Sequence, residues 1–190
     1  MSASHIELGL DELAAVIRAS KVLSGQVAGI AGRYAKVLRG GGTLFFCGNG
    51  GSAADAQHLA AEYIIRYAGE RRPLAAVALT TDTSVLTAGG NDLGFELIFA
   101  RQIEALCGQE DLLTLHSSSG QSQNLVAAAR SARQLGIPTV AFLGKGGGAL
   151  ASLVDEAVIV PSQRTSQVQL MHMALQHLIV ESVERELFGA

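Results

Sequence analysis

Residues 43–58, Thr43-Leu44-Phe45-Phe46-Cys47-Gly48-Asn49-Gly50-Gly51-Ser52-Ala53-Ala54-Asp55-Ala56-Gln57-His58, run from an apolar, strand-like stretch through a glycine-rich turn into a helical pattern. Glycines at 48, 50 and 51 allow positive φ and close approach to a ligand, and the helix that follows offers unpaired N–H groups and a positive dipole end. This combination reads as an anion site, although the same residues also suit a plain strand-to-helix turn. Ser52 and Asp55 have the spacing of a capping pair, which predicts a helix starting at Ser52. The turn is not a dinucleotide fingerprint, because Ala53 stands where the last glycine of G-x-G-x-x-G belongs. About twenty residues on, Arg66 to Arg72 reads as a helix end and not as a strand ending in an acid.

Outward from this stretch, strand-like runs recur at 75–79, 111–116, 138–143 and 156–160, with helical patterns near 52–68, 94–107, 122–135 and 147–153 and a closing helix at about 165–188. Strands alternating with helices predict an α/β protein, a three-layer αβα sandwich around a five-stranded parallel sheet. The runs are apolar without clean alternation, as expected of strands covered on both faces. Before them, Leu8, Leu13, Ile17, Val22, Val27 and Ile30 recur at helical spacing, so residues 6–38 are expected to form one or two amphipathic helices, a helical hairpin of the kind that often packs on a partner.

A length of 190 residues fits a single domain spanning 1–190, and 48% hydrophobic with 16% charged residues suits a well-packed core. The net charge of −3 argues against a nucleic-acid or membrane-surface binder. The N-terminal residues lack the pattern of a signal sequence, no run of about 18 apolar residues stands out, and a cytoplasmic protein is expected. Cys47 and Cys107 do not make a disulfide framework, and Cys47 at a strand end reads as a small core residue.

In open parallel sheets ligands bind beyond the carboxyl ends of the strands. A second strand end there carries Ser117-Ser118-Ser119-Gly120-Gln121-Ser122, whose hydroxyls and amides can surround a phosphate without a lysine, or else form a solvated turn. His58 and Glu62, four residues apart, share a helix face beside Leu59, Ala61 and Ile65, which makes the pair look enclosed. An imidazole and a carboxylate so placed can bind a divalent metal, or the carboxylate can act as a base. On the last helix, Gln169, His172, Gln176 and His177 are either its wet face or part of a site. Gln169 and His177 lie about 12 Å apart along a straight helix and about 80° around it, so how both reach one ligand is left open.

These residues resemble the sugar isomerase (SIS) domain family, and within it the phosphoheptose isomerases. The likeness rests on CGNGGSAADAQH at 47–58, Glu62, Ala78-Leu79-Thr80-Thr81-Asp82, Gly90-Asn91-Asp92, Ser117 to Gly120 with Ser122, Gln169, His172 and His177. The resemblance implies a flavodoxin-like sheet, a cytoplasmic homotetramer with sites at subunit interfaces, and conversion of sedoheptulose 7-phosphate to D-glycero-D-manno-heptose 7-phosphate for surface glycans such as lipopolysaccharide. It implies one zinc ion per subunit, held by His58, Glu62, Gln169 and His177, with Glu62 and His177 as the acid–base pair. Asn49, Gly50, Gly51, Ser52, Glu62, Asn91, Asp92 and Gln169 would contact the sugar, and Ser117, Ser118, Ser119 and Ser122 its phosphate. Ser118 stands where threonine is usual, Gln167 where a basic residue is usual, and His116 is unusual before such a loop. His116 reads either as a satisfied strand-end histidine or as a modifier of substrate preference. A non-catalytic SIS-fold regulator that binds a replication initiator and an isomerase of another phosphosugar are the competing readings.

Overall fold

The computed structural model describes residues 3–189. Five strands, β1 (Leu44–Gly48), β2 (Ala76–Ala78), β3 (Leu112–Ser117), β4 (Thr139–Leu143) and β5 (Glu156–Ile159), form one parallel sheet in the order β2-β1-β3-β4-β5. Successive side chains point to opposite faces. Leu44 and Phe46 therefore enter one core with α2 (Ser24–Arg39), α3 (Gly51–Ile64) and α7 (Thr165–Phe188), while Phe45 and Cys47 enter a second with α5 (Ile98–Leu106) and α6 (Gln123–Leu135). Each fully buried Leu or Phe contributes about 1.5–3 kcal/mol, and the two cores account for the apolar runs. Chain direction across the sheet reverses between β1 and β3, which pair from Leu44↔Leu112 to Gly48↔His116. The glycine turn and the serine loop thus leave adjacent strands at the point where ligands bind in such sheets.

The expected N-terminal hairpin does not turn back. Helix α1 (Ala3–Ala19) continues through a 3-10 turn, Ser20–Leu23, into α2, with Ala19, Leu23 and Ser24 all right-handed helical. The reason is local: no proline or left-handed residue breaks the junction, and the Ser20 hydroxyl folds back onto the Val16 carbonyl at 2.8 Å. Helix α2 buries Val27, Ile30, Tyr34 and Leu38, whereas α1 has no buried residue and leaves Ile6, Leu8, Leu10 and Ile17 exposed. Contrary to the sequence reading, Ala3–Arg39 is long and apolar enough by composition to cross a membrane. Of the 18-residue stretch that meets this measure only 17% is buried, so most of its apolar character is not packed within this chain, with Ile17 and Val22 of the same helix exposed.

Three further elements differ from expectation. Helix α4 (Thr83–Asp92) was not anticipated, because its Thr, Gly and Asn residues are weak helix formers; Asp82 caps it, accepting from the Val85 N–H at 3.0 Å. The helix expected over 147–153 is a single 3-10 turn, Ala149–Ser152. Helix α3 ends at Ile64 and not near 68, since a carboxylate from α7 takes over the next backbone N–H groups, as described below.

Candidate active site

The N-terminus of α3 is built by glycine and not by the predicted Ser52–Asp55 capping pair. Gly50 is the N-cap with φ 55° and no side-chain cap, and Ser52 lies buried within the first turn. Gly51 is required for a different reason: a Cβ there would stand 2.7 Å from Gln169 Nε2. Gln169 therefore meets the start of α3, and His177 meets His58 seven residues further along it. The two helices run side by side in the same direction, which aligns their polar faces along one cleft.

At the first end of the cleft, a cavity of about 210 Å³ is lined by Asn49, Ser52, Ser117, Ser118, Ser119, Ser122 and Gln169. His116 and Thr165 complete the lining; Thr165 escaped the sequence reading because nothing in its neighbourhood marks it. The Ser117 hydroxyl accepts from the Gly120 N–H at 3.0 Å and Ser119 from the Gln121 N–H at 3.3 Å, so both shape the loop. Ser118 and Ser122 make no side-chain hydrogen bond among the described residues, which leaves their hydroxyls for a ligand. Asn49 and the buried Asn124 exchange amide hydrogen bonds at 2.9 and 2.8 Å, fastening the glycine turn to the helix after the serine loop. No lysine or arginine lines the cavity, so an anion there is met by hydroxyls and helix N-termini. A larger groove, of about 680 Å³ along the β2 edge, contains none of the candidate residues.

His116 is a core residue beneath this cavity, as its satisfied reading anticipated in part. It is fully buried between Phe46 and Phe142, and the Gln176 amide donates to its Nε2 at 3.1 Å, while Nδ1 lacks a well-formed partner. Burial, reinforced by His172, pushes its pKa down to about 3, opposed only by the Cys47 backbone. His172 is also buried, donates to the Leu143 carbonyl at 3.1 Å, and is pushed down by burial to about 4. Burial thus favours the neutral form of both rings, which are parts of the core.

Two turns further along α3, His58 Nε2 lies 2.9 Å from Glu62 Oε1, and His177 Nε2 lies 3.2 Å from both. These three atoms come from residues up to 119 apart in sequence. A tetrahedral zinc ion with bonds near 2.0–2.1 Å separates its ligand atoms by about 3.3 Å, so the spacing and the two-imidazole, one-carboxylate donor set fit such an ion. Glu62 Oε2 is buried without a hydrogen-bond partner, a vacancy in its bonding that a cation or substrate hydroxyl would fill. The reading of this pair as enclosed holds for Glu62, whose side chain is 15% exposed, but not for His58 within one chain: its side chain is 51% exposed, and Ile64, Ile65 and Leu178 are exposed as well. Tyr67, in the loop after α3, stacks on the His177 ring at 5.5 Å and 27°, a contact no sequence spacing announced.

Gln169 rests against Gly51 and lines the hydroxyl cavity, with no hydrogen bond to the three-atom cluster among the described residues. Asn91 and Asp92 are not brought in by this chain. They are exposed at the end of α4, where the Asn91 amide donates to Asp92 at 2.6 Å, and neither lines the cavity.

Comparison with known proteins gives a consistent picture. Residues 10–144 match the SIS domain family. The chain is 47% identical over 183 residues to the phosphoheptose isomerase of Roseiflexus sp., covering 94% of this chain and 93% of the relative. Its fold superposes on the phosphoheptose isomerase of Neisseria gonorrhoeae with a TM-score of 0.89 and 36% identity, covering 95% and 97% of the two chains. For the Francisella tularensis phosphoheptose isomerase the TM-score is 0.91, with 30% identity and coverage of 97% and 100%.

Proposed function

From the premise that this chain belongs to the SIS domain family, and within it to the phosphoheptose isomerases, we propose that it converts sedoheptulose 7-phosphate to D-glycero-D-manno-heptose 7-phosphate. The observation that carries the reading is the placement of the Glu62 carboxylate and the His177 imidazole, 3.2 Å apart, along one cleft from an uncharged hydroxyl cavity. Ser118, Ser122 and the N-terminus of α6 hold the phosphate, with Ser117 and Ser119 shaping the loop. Asn49, Gly50, Gly51, Ser52 and Gln169 line the path of the sugar. Glu62 removes the proton from the carbon beside the carbonyl and returns it to the neighbouring carbon, while His177 moves a proton between the two oxygens. His58, Glu62 and His177 would hold a zinc ion. Gln169, the expected fourth ligand, stands at the other end of the cleft in this chain and would reach that ion only from a neighbouring subunit. When bound, the ion would polarise the substrate oxygens and favour the charge that develops on them.

The proposed unit is a single SIS domain over residues 1–190, acting as a cytoplasmic homotetramer in heptose biosynthesis, without nucleic acid or membrane. Half-exposed His58, the exposed apolar residues around it and the remote Asn91–Asp92 pair support a site completed by a neighbouring subunit. A non-catalytic regulator would have no use for the close approach of Glu62 and His177, and that reading is not favoured. Purified protein supplied with zinc is expected to produce an aldoheptose phosphate from sedoheptulose 7-phosphate. Turnover of a hexose phosphate with none of the heptulose would overturn the substrate assignment, and capture of a replication initiator by an inactive protein would restore the regulator.

A further inference from the structure

The loop after α3 is anchored by a buried ion pair that the reaction itself does not use. Arg71 and Glu184 have side chains only 2% and 3% exposed, and Arg71 Nε donates to Glu184 Oε1 at 2.6 Å. Glu184 also accepts from the N–H groups of Tyr67, Ala68 and Gly69, at 3.0, 3.1 and 3.4 Å. The other side of the guanidinium reaches back to α3: Nη2 donates to the Glu62 carbonyl at 2.6 Å and Nη1 to the Tyr63 carbonyl at 2.8 Å. A pair of well-packed apolar residues in this place could stabilise the fold as well as the ions do. It could not grip three N–H groups on one side and, on the other, two carbonyls of α3 together with that of Arg72, which fixes direction as well as distance.

The position of this pair gives that grip a consequence. Glu184 stands seven residues after His177, so the two share a face of α7, about 10.5 Å apart along the axis and about 20° around it. Arg71 therefore ties the backbone of Glu62 to the helix that carries His177, and the loop held by Glu184 presents the Tyr67 ring that stacks on His177. Three separate restraints on the Glu62–His177 approach pass through one ion pair. We propose that Arg71 and Glu184 are positioning residues that set the spacing and ring orientation of Glu62 and His177, and hence metal affinity and proton transfer, without touching substrate. The proposal rests on the reading of Glu62 and His177 as acid–base pair and metal ligands.

The test uses Arg71→Lys and Glu184→Gln, which keep polar atoms in the buried site, in the full-length protein at its native assembly size. Zinc affinity is measured by competition calorimetry on metal-stripped protein, and kcat and KM with sedoheptulose 7-phosphate. Loss of groups that orient metal ligands typically costs about 10–100-fold in affinity or activity, so each variant is expected to bind zinc at least tenfold more weakly and to lose at least tenfold in kcat. KM should change less than about threefold, because the hydroxyl loop lies at the far end of the cleft; a general loosening of the fold would move both constants. Glu184→Ala, with no acceptor left for the N–H groups, should fall further than Glu184→Gln. Variants that retain parental zinc affinity and kcat would overturn the proposal. If the unaltered protein turns over substrate but binds no zinc, the metal assignment fails, and the kcat comparison alone then decides the positioning role. If the unaltered protein isomerises no phosphosugar, the functional reading fails and takes the proposal with it.

Discussion

The two ends of the cleft are assembled differently. At the end of β3, residues 117–122 supply four hydroxyls from six consecutive positions, in a cavity without a lysine or arginine. Two turns along α3, His58, Glu62 and His177 are brought within 3.2 Å of one another from opposite parts of the chain. The first end depends on loop geometry, which neighbouring residues enforce. The second depends on the relative placement of two helices, which packing over their whole length enforces. Substitutions should therefore act differently at the two ends, on turnover at the cluster and on substrate affinity at the loop.

The largest effect is expected at Glu62. Glu62→Gln keeps the shape of the side chain but removes the base, and kcat should fall about 10²–10⁴-fold while the assembly size by light scattering is unchanged. Turnover above a tenth of the parent would remove Glu62 from its role and erase the contrast between the ends. Metal removal by a chelator should come next, with activity lost and then restored by added zinc, and with the thermal midpoint rising on zinc addition because the ion binds only the folded cluster. No shift in midpoint with zinc would count against His58, Glu62 and His177 as ligands.

At the hydroxyl end, Ser118→Ala removes a group that bonds nothing within the described chain. One lost hydrogen bond to a charged ligand is worth about 1.5–3 kcal/mol, so KM should rise roughly tenfold or more with kcat nearly unchanged. A fall in kcat with unchanged KM would place Ser118 in the chemical step instead. Ser117→Ala should differ from it, because Ser117 holds the Gly120 N–H and its loss loosens the loop and lowers the melting temperature.

Smallest in its effect on activity is the pH dependence set beneath the cavity. Burial lowers the pKa of His116 to about 3 and of His172 to about 4, from 6.5. As pH falls below 6.5 the unfolded chain takes up protons that the folded core refuses, so stability is full above that value and declines toward pH 4, by about 1.4 kcal/mol per pH unit for each ring. Denaturant titrations between pH 7 and pH 4.5 should show this slope, and His116→Phe should roughly halve it, leaving the part due to His172. An equal slope in the variant would mean that other groups carry the acid sensitivity.

Much of this was legible in the sequence, and the particular residues show why. Each strand begins or ends within a residue or two of its apolar run; for the central strands β1, β3 and β4 this is because a strand buried on both faces has no alternative to continuous apolar character. The glycine turn and the serine loop were legible because their function lies in backbone conformation and short hydroxyls. Where weak local signals competed, the sequence misled: Ser52 and Asp55 have capping spacing, yet Gly50 caps the helix, since its positive φ and the contact of Gly51 with Gln169 fix the chain first. Helix α4 was hidden by poor helix formers, and residues 6–38 were expected to fold back as a hairpin although nothing at Ser20–Leu23 breaks the helix.

By itself, then, the sequence determined an α/β sheet with two polar loops at strand ends, and it marked His58, Glu62, Gln169 and His177 as residues of interest; that those strand ends are neighbours came from the sheet order. Only the tertiary structure decided that His177 meets His58 and Glu62, that His116 and His172 are neutral core rings, and that Arg71 and Glu184 bind the loop of Tyr67 to both helices. The physical reason is range. Backbone conformation and polarity are set by neighbours a few residues away, whereas a distance between side chains on α3 and α7 is the outcome of every contact that packs those helices against the same sheet.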